Sequence, residues 1–436
     1  MRFIINNKLK MLAVLMMGFT LLFSRPLDAQ TLEDYLWEAA ENNPGLRADY
    51  TLYQAKMEEV DRRGTLPNPE LSTGFYLMDM RSLMGNQKGN LSVMQQFPWF
   101  GTLKLQKDMA SKEAISSFYR FQTSKEDLFF EVKTTYYQIY LIHHHLTEVK
   151  RSLELLSQME QLALERFKGA APGVSGKLTD VLQVQSARKA KETKVAQLED
   201  ELQLAQLTFN LLLNRAEDSP VTMDHSFINS SISYEKEAVL DSVLVSNPGL
   251  KELQADGEAY KLQGELAAKQ GLPNFGLGLN YMINSARAPQ GAIGEPGGYV
   301  PGGMGHNMVM PMVSISIPIY RKSIKAAKNQ SDLYRQSSMS KQENLKLGLK
   351  TEVEEAFLEW RTANRNEELY RTQVELLEKT RELMFAAYSA GEEDFENLLT
   401  VHDQLIEFVM KMAEENVRGL NALAKIEKMM ALNLEQ

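Results

Sequence analysis

The chain has 436 residues, a formal charge of −9 and no cysteine. The missing thiols exclude disulfides, thiol catalysis, cysteine-based zinc sites and a lipidated cysteine anchor, and the acidic balance argues against nucleic acid as a partner. Length alone would accommodate two or three ordinary domains, but the pattern along the chain points to one plan used twice.

Residues 1–29 read as a secretory signal peptide. Arg2, Lys8 and Lys10 form a positive n-region, Met11 to Phe23 is an apolar run too short to span a bilayer, and Leu27-Asp28-Ala29 ends in a small residue, so the mature chain is expected to start at Gln30. Arg25 adds to the positive charge of this segment, so the mature chain is more acidic than the whole. No later stretch is apolar enough for a membrane helix.

An internal repeat follows. Asn43-Pro44-Gly45-Leu46 recurs as Asn247-Pro248-Gly249-Leu250, and Leu66-Pro67-Asn68 recurs as Leu272-Pro273-Asn274. A spacing of roughly 200 residues is too long for a solenoid repeat and implies two structural halves, expected over 30–230 and 231–436. Each half has two alternating segments followed by long helical ones. Strands are expected at about 70–79, 90–98, 275–284 and 308–319, where Leu71, Thr73, Phe75 and Leu77, or Phe275, Leu277, Leu279 and Tyr281, alternate with small, polar or methionine residues. Gly85 to Gly89 and Ala286 to Gly305 are expected to be the joining loops. The lengths suit tilted strands crossing an outer membrane. Four strands cannot close a barrel, and an open edge in lipid would leave backbone groups unpaired, so a membrane form must oligomerise.

The helical hairpins are expected at about 101–215 and 321–433. Leu128, Val132, Thr135, Ile139, Ile142, Leu146, Val149, Leu153 and Leu156 recur at 4-3 spacing, and so do Leu349, Val353, Ala356, Trp360 and Ala363. A helix of some 65 residues would be about 100 Å long at 1.5 Å per residue. Shorter heptad helices follow, one through Leu198, Leu202, Ala205 and Phe209, the other through Leu398, His402, Leu405, Val409, Met412, Asn416 and Leu423. Gly169 to Lys177 and Ala390 to Asp394 are the expected turns.

Thr31-Leu-Glu-Asp-Tyr-Leu, the two Asn-Pro-Gly-Leu and two Leu-Pro-Asn motifs, Phe97-Pro98-Trp99-Phe100-Gly101, Pro318-Ile319-Tyr320-Arg321 and the turn motifs Arg166-Phe167-Lys168-Gly169 and Ala387-Tyr388-Ser389-Ala390-Gly391 together resemble the TolC family of outer-membrane efflux proteins over nearly the whole mature chain. The Phe-Pro-Trp-Phe-Gly junction is most similar to the family's heavy-metal branch. The resemblance implies a mostly α-helical chain with a transmembrane β-barrel contribution. Three copies would share a twelve-stranded barrel continuous with an α-helical tunnel, in the outer membrane with a long periplasmic extension. It also implies a homotrimer that meets outer-membrane lipid, a periplasmic adaptor and an inner-membrane pump of the RND type. Residues Arg166, Gly169, Ala390 and Gly391 would be the adaptor-contact tips.

The expected activity is passive conduction, with no enzyme chemistry and no cofactor. Asp180, Glu393, Asp394 and Glu396, with Glu392, are pore or gate candidates, because threefold symmetry turns one inward carboxylate into a ring. The plain alternative is that acidic residues at a helix start stabilise its dipole. Met94, Met282, Met304, Met310, Met312 and His306, with Met78 and Met308, are candidate lumen ligands for a soft cation such as Cu(I) or Ag(I), although methionine also serves as flexible packing. His143-His144-His145 fans around a helix and cannot converge on one ion. Two other readings stay open: the same conduit serving drugs or type I secretion, and a periplasmic coiled-coil adaptor or structural protein.

Overall fold

The computed structural model describes residues 30–82, 85–169, 176–223, 235–286, 305–390 and 392–431. The signal segment, Gly391, Met304 and most of the expected loop between the last two strands lie outside these residues. In chain order the elements are α1 (Leu32–Asn42), α2 (Pro44–Arg63), β1 (Glu70–Ser82), β2 (Gly85–Phe97), α3 (Thr102–Lys168) and α4 (Leu178–Leu212). The same succession then runs again as α5 (Lys236–Ser246), α6 (Pro248–Lys269), β3 (Asn274–Ser285), β4 (Met308–Ser316), α7 (Arg321–Ala390) and α8 (Phe395–Met430).

Short-range chemistry sets the boundaries. The Thr31 side chain accepts from the Asp34 amide while Asp34 accepts from the Thr31 amide, a reciprocal cap that starts α1. Pro44 and Pro248 open α2 and α6, where a missing N–H costs nothing. α3 is 67 residues and α7 is 70, each without an internal break.

Two compact units divide the chain, and each draws on both halves. Unit 1 holds residues up to Arg47, Ser124–Asn247 and Gly348 onward; unit 2 holds Ala48–Thr123 and Pro248–Leu347. Unit 1 is helical. Val132, Ile139, Val149 and Leu156 of α3, Val184, Leu198 and Phe209 of α4, Val353, Ala356 and Ala363 of α7, and Leu398, Leu405 and Leu420 of α8 are all buried, so the heptad seams are its core. Tyr35, Tyr136 and Phe209 stack at centroid separations of 5.1–5.9 Å. The expected seam of α8 needs correction beyond Leu405. Ala413, Val417, Leu420 and Ala424 are among the buried positions there, while Val409, Met412, Asn416 and Leu423 are only part-buried, because an 11-residue step from His402 to Ala413 shifts the heptad register.

Asparagine gives the repeated motif its purpose. Asn43 Oδ1 accepts from the amides of Gly45 and Leu46 while its Nδ2 donates to the Leu212 carbonyl at 3.0 Å, tying the start of α2 to the end of α4. Asn247 Nδ2 donates to the Met429 carbonyl at 3.2 Å near the end of α8.

Unit 2 carries one antiparallel sheet in the order β1-β2-β3-β4. The expectation that Gly85 to Gly89 forms a loop is corrected, since all five residues lie in β2 and all but Lys88, at a register shift, pair with β1 or β3. Glycine is a turn signal by composition, but here it accommodates register shifts at Phe75/Met80 and Gln87/Gly89, the usual place for it in a strand. β4 ends at Ser316, so Ile317 and Ile319 fall beyond the ladder. Beneath the sheet, Tyr53 meets Phe118 and Tyr50 meets Phe121, both at 5.4 Å, between α2 and α3, and Tyr260 meets Tyr334 at 5.3 Å between α6 and α7.

Candidate functional site: the sheet faces and the hairpin ends

Cross-strand register sorts the sheet into two faces of opposite character. Leu71–Val93–Leu279–Pro311, Thr73–Leu91–Tyr281–Val309 and Phe97–Phe275–Ile315 run across one face. It is apolar, and it is exposed: Phe75 is 76% and Val313 70% accessible, and Leu71, Leu277, Leu279, Val309 and Ile315 are exposed too. A contiguous apolar surface of this kind marks a partner or a membrane. No described helix is long and apolar enough to cross a membrane.

The other face is polar and small. Its rows read Glu70–Met94–Gly278–Met312, Ser72–Ser92–Asn280–Met310 and Gly74–Asn90–Met282–Met308. The structure therefore brings Met94, Met282, Met310 and Met312 to one face, as the alternation implies. Met308, at the start of the expected strand, is the first residue of β4 on that same face. Gly278 lies between Met94 and Met312, and a β-carbon on it would meet the Val93 carbonyl oxygen at 2.6 Å and Met94 Sδ at 3.1 Å, so the glycine permits the close approach of both. Ser314 Oγ lies 3.9 Å from the same sulfur. Asn280 is buried on this face and its Oδ1 has no hydrogen-bond partner among the described residues. His306 stays off the methionine rows, its carbonyl accepting from Asn284 Nδ2 at 3.0 Å. Among the described residues no group of His, Cys, Asp or Glu is arranged to hold a metal ion.

The hairpin ends lie in unit 1. Leu156 and Met159 of α3, Val184 of α4, Tyr388 of α7 and Phe395 and Leu398 of α8 form a buried apolar cluster there. Polar links surround it. The Arg166 guanidinium donates to the Tyr388 carbonyl at 2.7 Å and lies 4.3 Å from the Tyr388 ring. The Tyr388 hydroxyl donates to Asp180 at 3.4 Å. Lys177 pairs with Asp394 at 3.0 Å, joining the turn of the first hairpin to that of the second. Burial pushes the Tyr388 phenol above its ordinary pKa, with Asp180 adding to the effect, and the bond to Asp394 raises the Lys177 ammonium.

Among the carboxylate candidates, Asp394 and Asp180 are thus engaged within the chain. Asp394 is the N-cap of α8 but makes no side-chain cap bond, its carboxylate going to Lys177 instead. Glu393 accepts from Asn397 at 2.5 Å, and Glu396 is exposed in the first turn of α8. Arg166 turns inward onto Tyr388, whereas Gly169 and Ala390 are exposed. Sequence reasoning missed Lys177 as a partner, because the residue sits at the edge of a glycine-rich turn with no periodicity to mark it.

A second overlooked feature is a line of exposed leucines on α7: Leu358, Leu369, Leu376 and Leu383, the last 73% accessible. Steps of 11 and 7 residues rotate about 20° in opposite senses on a helix, so the four stay on one narrow, straight stripe. Leu204 and Leu211 are similarly exposed on α4. The three histidines diverge as expected: His145 faces the Met410 carbonyl at 3.4 Å, while His143 and His144 border an open groove with Tyr140 and Arg151.

Comparison with known proteins places these features. Residues 239–423 match the outer membrane efflux protein family. No curated protein matches the sequence. The fold is that of solved outer-membrane channels. The chain is similar to CusC at 14% identity, with a TM-score of 0.74 over 92% of each chain. It is similar to the CmeC outer membrane channel of Campylobacter jejuni at 12% identity, with a TM-score of 0.74 over 94% of this chain and 90% of that one. The open state of the MtrE outer membrane channel of Neisseria gonorrhoeae is 15% identical, with a TM-score of 0.71 over 92% and 88%.

Proposed function

We propose that this chain is one subunit of an outer-membrane efflux channel, in which copies of the four-stranded sheet close into a barrel through which solutes leave passively. The observation that carries the reading is the sheet itself, exposed and apolar on one face, polar on the other, with β1 and β4 as unpaired edges. Lipid covers the first face, the polar face lines the pore, and edge-to-edge pairing satisfies the backbone. Two copies would give eight strands, whose interior side chains fill; three are the smallest number that leaves a lumen. The leucine stripe of α7 and the exposed leucines of α4 supply apolar contacts between neighbouring copies of the helical part. The chain's duplicated plan fits this closure, with each half giving one hairpin of strands and one of helices.

The source of energy lies elsewhere, in an inner-membrane pump reached through a periplasmic adaptor at the exposed hairpin turns. The Lys177–Asp394 link and the Arg166–Tyr388–Asp180 group are the contacts that opening there must loosen. For the cargo we favour heavy-metal cations of soft character, on the methionine rows of the polar face. Purification in detergent and single-channel recording in a planar bilayer test the channel. A detergent-dependent trimer that conducts supports it; a water-soluble protein without conductance overturns it in favour of a periplasmic coiled-coil protein.

A further inference from the structure

The layer of unit 2 where strands meet helices carries a charge pattern that helix formation does not explain. α7 opens with Arg321, Lys322, Lys325 and Lys328, and its first carboxylate is Asp332. Cations at a helix N-terminus oppose the peptide dipole, so each is unfavourable at that end. All four are exposed and have no ion-pair partner among the described residues. At about 100° per residue, Arg321, Lys325 and Lys328 share one stripe, with Lys322 flanking it on one side and Ile324, which rests on Gly271, flanking it on the other.

Neighbouring helix ends extend the positive layer. Lys104 is exposed in the first turn of α3, and Lys269, at the end of α6, donates to the Phe100 carbonyl at 2.9 Å. Of the carboxylates nearby, Glu59 is taken by Lys56, Arg62 and Arg63, and Asp61 by Lys107, while Asp108 and Glu265 lie one turn from Lys104 and Lys269. Glu70 lies on the polar face of the sheet. On the strand side of the cations stand exposed apolar and aromatic groups, Ile317 and Ile319, then Tyr320 at 78% and Phe100 at 80% accessibility. Within six residues, from Ile317 to Lys322, the chain passes from aliphatic to aromatic to cationic. That order matches hydrocarbon, interface and headgroup along a membrane normal.

We infer that this junction seats the headgroup phosphates of anionic phospholipids, with the α7 stripe as principal contact and Tyr320 and Phe100 as interfacial anchors. The inference rests on the reading of the sheet as membrane-embedded. A free anion would satisfy the cations but would leave the exposed aromatic and aliphatic groups uncovered, so a lipid is the occupant that fits both.

The test uses the full-length protein in micelles supplied with equimolar phosphatidylcholine and phosphatidylglycerol, with retained lipid counted by native mass spectrometry. The wild type is expected to retain phosphatidylglycerol preferentially. In the quadruple variant Arg321→Gln, Lys322→Gln, Lys325→Gln, Lys328→Gln that preference falls by about fivefold for each cation at low salt. The variant should melt no lower than the wild type, because it relieves the clash with the helix dipole. A variant that keeps the preference overturns the inference, as does a preference abolished by an equal concentration of inorganic phosphate, which would mark a simple anion site. A wild type that inserts into vesicles of both lipids without preference overturns it while leaving the membrane reading intact. A wild type that inserts into neither overturns the membrane reading itself.

Discussion

Lowering the pH should weaken the helical unit through one residue, His402. Its side chain lies in the seam between α8 and α3, 1% accessible, with Nε2 2.8 Å from Ser152 Oγ and with Nδ1 lacking any hydrogen-bond partner among the described residues. Protonation would place a charge and a second, unsatisfied N–H in that seam. Burial accordingly lowers its pKa to about 4, with Arg381 and Lys191 acting in the same sense and Asp403 opposing them. In the unfolded chain the group titrates near 6.5. Between about pH 6.5 and 4 the unfolded state therefore binds more protons than the folded state. The contribution is fully present above pH 6.5 and is lost as the pH falls through that window. At pH 5 the loss is about 2 kcal/mol, and it approaches about 3 kcal/mol at pH 4. Hydrogen exchange of the α3 and α8 amides flanking Ser152 and His402, compared at matched pH between wild type and His402→Gln, measures it. The Gln variant should lack the extra wild-type loss of protection, about 20-fold between pH 7 and 5. An imidazole that titrates near 6.5 by NMR, or equal pH dependence in both proteins, would refute the reasoning.

Other perturbations have defined outcomes. Gly101 has φ +77° where β2 hands over to α3, so Gly101→Ala should lower thermal stability by about 1–2 kcal/mol, and Gly101→Asn by less. Leu369→Glu with Leu376→Glu places charge on the exposed α7 stripe. It should leave far-UV helicity unchanged while shifting the detergent-solubilised protein from trimer to monomer in light scattering. Asp394→Ala removes the partner of Lys177, and single-channel recording should show longer open dwell times with reduced cation preference; unchanged traces would discard this residue as a gate. Met94→Leu with Met312→Leu keeps the volume and removes two thioethers. Ag(I) should then bind the detergent-solubilised protein more weakly in titration calorimetry, while K⁺ conductance stays as in the wild type.

The helices were legible because burial wrote them. Val132, Ile139, Val149 and Leu156 are buried at the intervals at which they recur, and Asn43-Pro44 marks a helix start by cap chemistry alone. The faces of the sheet were legible for the same reason, since period-2 alternation fixes which residues share a face. What escaped was whatever depends on partners distant in sequence. Gly85 to Gly89 has the composition of a turn, and only pairing with β1 and β3 makes it strand. Asp394 looks free until Lys177 closes on it from 217 positions away. The stripe Leu358, Leu369, Leu376 and Leu383 went unread because it lies off the buried seam of α7 and none of the described residues covers it. The aliphatic-to-aromatic-to-cationic order from Ile317 to Lys322 was split between the end of a strand and the start of a helix, so neither period displayed it.

Closure of the barrel by pairing between β1 of one copy and β4 of the next is the claim on which the account turns. The sequence contains no cysteine, so a pair introduced at Ser72 in β1 and, in turn, at Met310, Met312 or Ser314 in β4 gives a background-free cross-link. Oxidation of these variants in membranes, followed by non-reducing electrophoresis, should yield dimers and trimers and nothing larger for at least one register. A protein that stays monomeric in every register, or that forms an open ladder beyond the trimer, would contradict the closed three-copy barrel.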